Sequence, residues 1–242
     1  MQNPKSELRK YLDRLIHRLL YIKGLNYQLK LLREWETPKR MVAIETGAYF
    51  FKLVSFSFNR TILIELCMLL DDREKKGIFD WLSKAKQFAK ALEPTKYNSD
   101  TDKREIMKTE FYRNIVTNQQ KLISSKKNII DRVKTRRDKV LTHSDAKYFN
   151  KPDDLYEKFP LSSVEIDDLI DTMTEILRKQ YVYLFESDLD IKVYATSNVD
   201  TILLHIRAFK RVWFDKRAKS LYPFMYKLDD YEEKLEEHLK KN

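Results

Sequence analysis

Three glycines and six prolines among 242 residues leave this chain few places to turn. Sheets need frequent turn residues, so the spacing predicts few, long elements and an all-α fold. The same shortage removes Gly-rich phosphate loops, and neither GxGxxG nor GxxxxGK[ST] occurs. A hydrophobic content of 43% supplies a core and excludes wholesale disorder. The single cysteine, Cys67, lies in an apolar run and reads as a small buried hydrophobe. One cysteine cannot form an internal disulfide, which fits a reducing, cytoplasmic location. The first ten residues, MQNPKSELRK, hold no apolar signal core. The most apolar window, residues 48–70, is interrupted by Lys52, Asn59, Arg60 and Glu65. A spanning helix needs roughly 20 nearly uncharged residues, so a buried helix is expected there and no membrane partner.

Apolar spacing then divides the chain. Leu8, Leu12, Leu15, Leu19, Ile22 and Leu29 recur at helical intervals. Thr37 followed by Pro38 reads as an N-cap and first helical position, opening a helix that reaches about Leu70. A shorter helix follows, roughly from Phe79 to Leu92, and residues 97–100 read as a loop. Met107, Phe111, Ile115, Leu122, Ile129, Val133 and Val140 form one continuous stripe, with Ser124-Ser125 as a point where it could kink. Ser162 and Glu165 have capping-box spacing at the head of another helix. Asp200 reads as the cap of a helix from Thr201.

The net charge of +10 favours anionic partners, with nucleic acid ahead of a membrane surface. Two stretches could carry such contacts. The first is residues 131–149, DRVKTRRDKVLTHSDAKYF, which contains His143, one of four histidines. Arg137 stands six positions before it and falls on the stripe of Ile130, Val133 and Val140. On an ideal helix the two side chains point about 120° apart with a rise of about 9 Å, a gap a long arginine can bridge near a helix end. Guanidinium binds phosphate through a fork of donors, and imidazole moves protons near neutral pH. Together they could cleave RNA without metal. His143 would take the 2′-OH proton or protonate the leaving oxygen, while Arg137 stabilises the phosphorane. Asp138, Lys139 and Asp145 could support the pair, Lys139 by positioning phosphate and Asp145 by orienting the imidazole. The competing reading is a solvated C-terminal turn whose cations complement the helix dipole, with Arg137 as an ion-pair partner.

The second stretch is basic and aromatic. Arg207, Lys210 and Arg211 could track phosphates, as could Arg136 in the first stretch, while Trp213 stacks on an unpaired base. The alternative is an amphipathic helix burying its aromatics. Asp71-Asp72, with Glu65 and Glu74, reads as a solvated helix end, because nothing fixes a further metal ligand. No HxxxH, HExxH or CxxC spacing occurs, so neither a metal nor another cofactor is expected.

The phrase Arg137-Asp138-Lys139-Val140-Leu141-Thr142-His143 resembles the Arg–polar–(x)4–His motif of the HEPN superfamily, helical bundles that include many RNases. RDKVLTHSD also resembles the abortive-infection U-type branch of that superfamily. That branch, too, has an apolar helix ending in a leucine-rich, acidic stretch, similar to IELCMLLDDR here. The resemblance covers roughly residues 1 to 185. It implies a bundle that dimerises, with two Arg137–His143 pairs facing one cleft. It also implies metal-independent endoribonuclease action in a toxin or antiviral effector. Some toxin members carry Tyr two residues after the His, as a target for a partner antitoxin; Asp145 stands there in this chain.

The expectation is therefore a HEPN-like antiparallel helical bundle over residues 1–186 and a basic, aromatic helical extension over 187–242. Expected partners are RNA, a second copy of the chain and a regulatory partner protein. The leading function is a metal-independent endoribonuclease in phage defence or growth arrest. The alternative is a non-catalytic RNA-binding or protein-interaction module of the same fold.

Overall fold

A computed structural model describes residues 4–33, 44–45, 47–72, 76–142, 156–186, 191, 199 and 201–206. Helix α1 spans Pro4–Arg33, α2 Ala48–Leu70, α3 Ile78–Gln87 and the short α4 Ala89–Leu92. Strands β1 (Thr95–Asn98) and β2 (Lys103–Ile106) form one antiparallel hairpin. Helices α5 (Thr109–Ser125) and α6 (Lys127–Arg136) run into a π-helical segment, Arg137–Thr142, and α7 spans Ser163–Phe185. Residues 201–206 are also helical. The fold is all-α, with a two-stranded hairpin as its one departure among the described residues.

The residues group into two compact units: Met1–Leu25 with Arg60–Val193, and Asn26–Asn59 with Tyr194–Asn242. In the first unit the predicted α1 stripe is buried, with Leu12 and Leu19 fully covered. It shares that unit's core with Leu66, Trp81, Leu82, Tyr112 and Val116, all fully buried. The Trp81 indole N–H donates to the Leu8 carbonyl at 3.1 Å, satisfying its one donor. A buried polar chain adds direction to the apolar packing. The Tyr112 hydroxyl donates to Gln180 Oε1 at 2.6 Å, and Gln180 Nε2 donates to Gln119 Oε1 at 2.6 Å. The second unit has its own core of Leu31, Leu32, Ile44, Phe51, Val199 and Leu203.

Several local expectations meet a structural outcome. The capping box is present: Glu165 N–H donates to Ser162 Oγ at 3.2 Å, and Ser162 N–H to Glu165 Oε2 at 2.9 Å. The long stripe breaks at Lys126, one residue past Ser124-Ser125, where Lys126 Nζ reaches Asp168 at 2.6 Å, and its α5 part is corrected: Phe111 and Leu122 are exposed, and Tyr112, Val116 and Ile123 are buried instead. The stretch read as a loop around residues 97–100 is instead the end of β1 and the hairpin turn. Asn98 Oδ1 accepts from Asp100 N–H at 3.0 Å, and Asp102 takes a left-handed φ of 50°. This turn does without glycine because asparagine and aspartate close it with their own side chains. The Thr37-Pro38 cap lies outside the described residues, as does Asp200.

Helix α2 is expected to be a buried helix, and its first part buries only Phe51 while its second part is buried on most apolar positions. Ile62, Leu63, Leu66, Cys67, Leu69 and Leu70 are buried, whereas Tyr49, Phe50, Leu53 and Phe56 are exposed. By length and composition α2 is the one described helix apolar enough to cross a membrane, and 33% of its most apolar window is buried. At the far end of α2 the chain must pass close to its own backbone. A Cβ on Gly77 would lie 2.9 Å from the Leu69 carbonyl oxygen, so only glycine fits without moving backbone.

Candidate functional site

The site is built on two helix ends. The apolar run of α2 stops at Leu70, and Asp71 follows with its N–H still donating to the Cys67 carbonyl at 2.8 Å. Its carboxylate therefore stays with the helix and is 3% exposed. A buried carboxylate demands cationic partners. Lys134 Nζ supplies one at 3.1 Å and also reaches Asp72 at 3.3 Å. Arg137 Nη2 supplies a second at 3.9 Å, a charge contact longer than a hydrogen bond. Lys134 and Arg137 lie three residues apart, the spacing that places side chains on one helix face. This corrects the reading of Asp71 as part of a solvated helix end. Asp71 is an interior anion, and Asp72 beside it is the exposed one.

Arg137 itself opens the π-helical segment. Its Nε donates to Asp138 Oδ1 at 2.7 Å, and its side chain is 15% exposed. That bond to Asp138 is the main reason its pKa is raised, with burial opposing it. A wider helical turn is uncommon and tends to mark functional positions. Here it replaces the ideal α-helix assumed between Arg137 and His143. The stripe reading placed Arg137 among apolar side chains, and Ile130 and Val133 beside it are indeed buried. The Cys67 thiol is pushed up to about 12, first by burial, with Arg137 pulling it back and Asp138 and Asp71 pushing it further up. It is protonated at neutral pH and is not a nucleophile.

The neighbouring arginines face a different task. Arg136 is 8% exposed. Its Nε donates to the Phe159 carbonyl at 2.7 Å and its Nη2 to that of Tyr156 at 3.4 Å, and the guanidinium lies 5.0 Å from the Tyr156 ring centre. Burial lowers its pKa. Arg132 pairs with Glu165 at 2.5 Å and donates to the Pro160 carbonyl, so it braces the head of α7. Arg136, expected on the phosphate-binding surface, faces the interior instead.

The structure thus brings Arg137 and Asp138 together with Asp71 and Lys134. Lys139 follows on the same π-helical segment and is part-buried. His143, Asp145, Arg207, Lys210, Arg211 and Trp213 lie outside the described residues. Asp71 and Lys134 are the members sequence reasoning missed. Their signal was available: an arginine on an apolar stripe needs an anion, and Asp71 directly follows the apolar run at i+4 from Cys67. Among the described residues, no group of three His, Cys, Asp or Glu side chains is placed to hold a metal ion.

A family model for HEPN AbiU2 proteins matches residues 5–202. The chain belongs to the AbiU2 family of HEPN proteins. No curated protein and no solved structure matches it. The resemblance seen in RDKVLTHSD and IELCMLLDDR therefore holds across most of the chain. The AbiU2 match takes in both helix ends of the site, Asp71 as well as Arg137, and the His143 position.

Proposed function

We propose that this AbiU2-family protein is a metal-independent endoribonuclease acting as an antiviral or toxin-type effector. The observation that carries the reading is the placement of Arg137. A guanidinium sits on a buried stripe, at the mouth of a π-helical segment, held by Asp138 and facing Asp71, six residues before His143.

In the proposed reaction His143 accepts the proton of the RNA 2′-OH. The 2′-oxygen attacks the adjacent phosphorus, and Arg137 stabilises the added charge on the phosphorane. The protonated His143 then gives its proton to the departing 5′-oxygen, leaving a 2′,3′-cyclic phosphate and a 5′-hydroxyl. Asp138 and Asp71 orient Arg137. An incoming phosphate competes with these carboxylates for the guanidinium. Two copies of the chain would bring two such pairs to one cleft, with RNA as substrate in the cytoplasm and a regulatory protein as a further partner.

One observation favours a second reading. Arg137 already has carboxylate partners, as a purely structural arginine would. In that case the protein is a non-catalytic RNA-binding or protein-interaction module. Incubating RNA with the wild type, Arg137→Ala and His143→Ala proteins in EDTA separates the two. Cleavage by the wild type alone supports the enzyme, and intact RNA in all three supports the module.

A further inference from the structure

A groove of about 770 Å³ runs between α1 and α3 in the first unit, away from the Arg137 site. Its walls are fixed. The Trp81–Leu8 hydrogen bond ties the two helices together, and the Tyr11 hydroxyl contacts the Gly77 carbonyl at 2.9 Å and Asp80 at 3.1 Å. Leu8 and Leu15 line it with apolar surface. Five cations also line it: Lys10, Arg14, Arg18, Lys76 and Lys84.

Three of those cations are matched. Lys10 pairs with Glu7 at 3.3 Å, Arg18 with Glu65 at 2.8 Å and Lys84 with Asp80 at 2.7 Å. Arg14 and Lys76 are exposed and make no hydrogen bond or ion pair among the described residues. Among the described residues, these two groove-lining charges have no anionic partner. Lys84 also covers the Tyr11 ring, at 5.3 Å from its centre. Phe88, 37% exposed, is the ring left open to a flat partner.

A lone phosphate would fill little of such a volume. A ligand that carries spaced anionic groups and flat apolar rings matches both the charge and the aromatic surface. We infer that this groove docks single-stranded RNA, with Arg14 and Lys76 on backbone phosphates and a base against Phe88. The inference rests on the ribonuclease reading above and gives that site a second hold on its substrate. Glu65, which anchors Arg18 of the groove, and Asp71, which faces Arg137, are six residues apart along α2 and its end.

The test uses the full chain carrying His143→Ala, so that RNA stays uncut. Fluorescence anisotropy follows a labelled single strand of about 12 nucleotides over a KCl series. Adding Arg14→Gln and Lys76→Gln should raise Kd at least about tenfold and flatten the log–log salt slope by about 1.4, the share of two phosphates. Adding Phe88→Ala should weaken binding about fivefold without changing that slope. All three side chains are exposed, and circular dichroism confirms that the variants fold. Three results overturn the inference: no RNA binding by the parent, unchanged affinity and slope in the double variant, or equal binding of an acidic peptide of matching charge. The ribonuclease reading fails separately, through intact RNA after incubation with the wild type, and groove binding can survive that outcome.

Discussion

Two faces of α6 and the π-helical segment that continues it carry arginines and use them in opposite ways. Arg132 and Arg136 turn toward α7 and the 156–160 stretch, where backbone carbonyls, Glu165 and the Tyr156 ring absorb their donors. Lys134 and Arg137 turn toward the end of α2, where Asp71 awaits them. The first face joins elements through fixed backbone acceptors. The second concentrates charge around side-chain carboxylates. Adjacent arginines with the same chemistry are thus separated by what they meet, and in the proposed function only Arg137 acts on RNA.

The sharpest way to break this contrast is to exchange the two arginines for alanine in turn. Arg137→Ala should lower RNA cleavage by about 10²- to 10⁴-fold, the range for loss of a charge-stabilising or proton-moving group. Arg136→Ala should cost about 1–3 kcal/mol of stability, since it removes two charge-assisted hydrogen bonds and empties the contact on Tyr156. Chemical denaturation and an RNA cleavage assay on both variants check the pair. Equal loss of activity with equal loss of stability would merge the two faces into one scaffold.

Asp71→Asn probes the second face from its other side. It leaves Lys134 and Arg137 part-buried without their shared anion, and should cost about 2–3 kcal/mol together with part of the activity. Glu165→Gln probes the first face at lower amplitude, about 1 kcal/mol, because it weakens one cap and one ion pair. Its pH signature is distinctive. The bond from Arg132, aided by Ser162, depresses the folded pKa of Glu165. That stability is present above the ordinary glutamate range and is lost as pH falls through the depressed folded value. A urea-midpoint series across acid pH should lose one step in Glu165→Gln. The smallest effect is kinetic. Burial raises the Cys67 pKa to about 12, so thiol labelling near pH 8 should proceed only at the unfolding rate.

The legible part of the molecule was its periodic part. The α1 stripe, the Ser162–Glu165 box, the break near Ser125 and the placement of Arg137 on a buried face all follow from local spacing. The family was legible too, because its signature is a contiguous phrase. What escaped depends on partners distant in sequence or on atypical turns. Asp71 reads as solvated until Lys134 and Arg137 arrive from another helix. The β1–β2 hairpin hides behind lysines and a glycine-free turn closed by Asn98 and Asp102. The π-helical segment leaves no pattern in residue types at all.

The contrast between the two faces matters only if the second one is reactive. The direct measurement is end-group analysis of total RNA incubated in EDTA with wild-type protein and with His143→Ala. The account predicts 2′,3′-cyclic phosphate and 5′-hydroxyl ends from the wild type, and none from a variant of unchanged fold. RNA left intact by the wild type, or cut equally by His143→Ala, would contradict it.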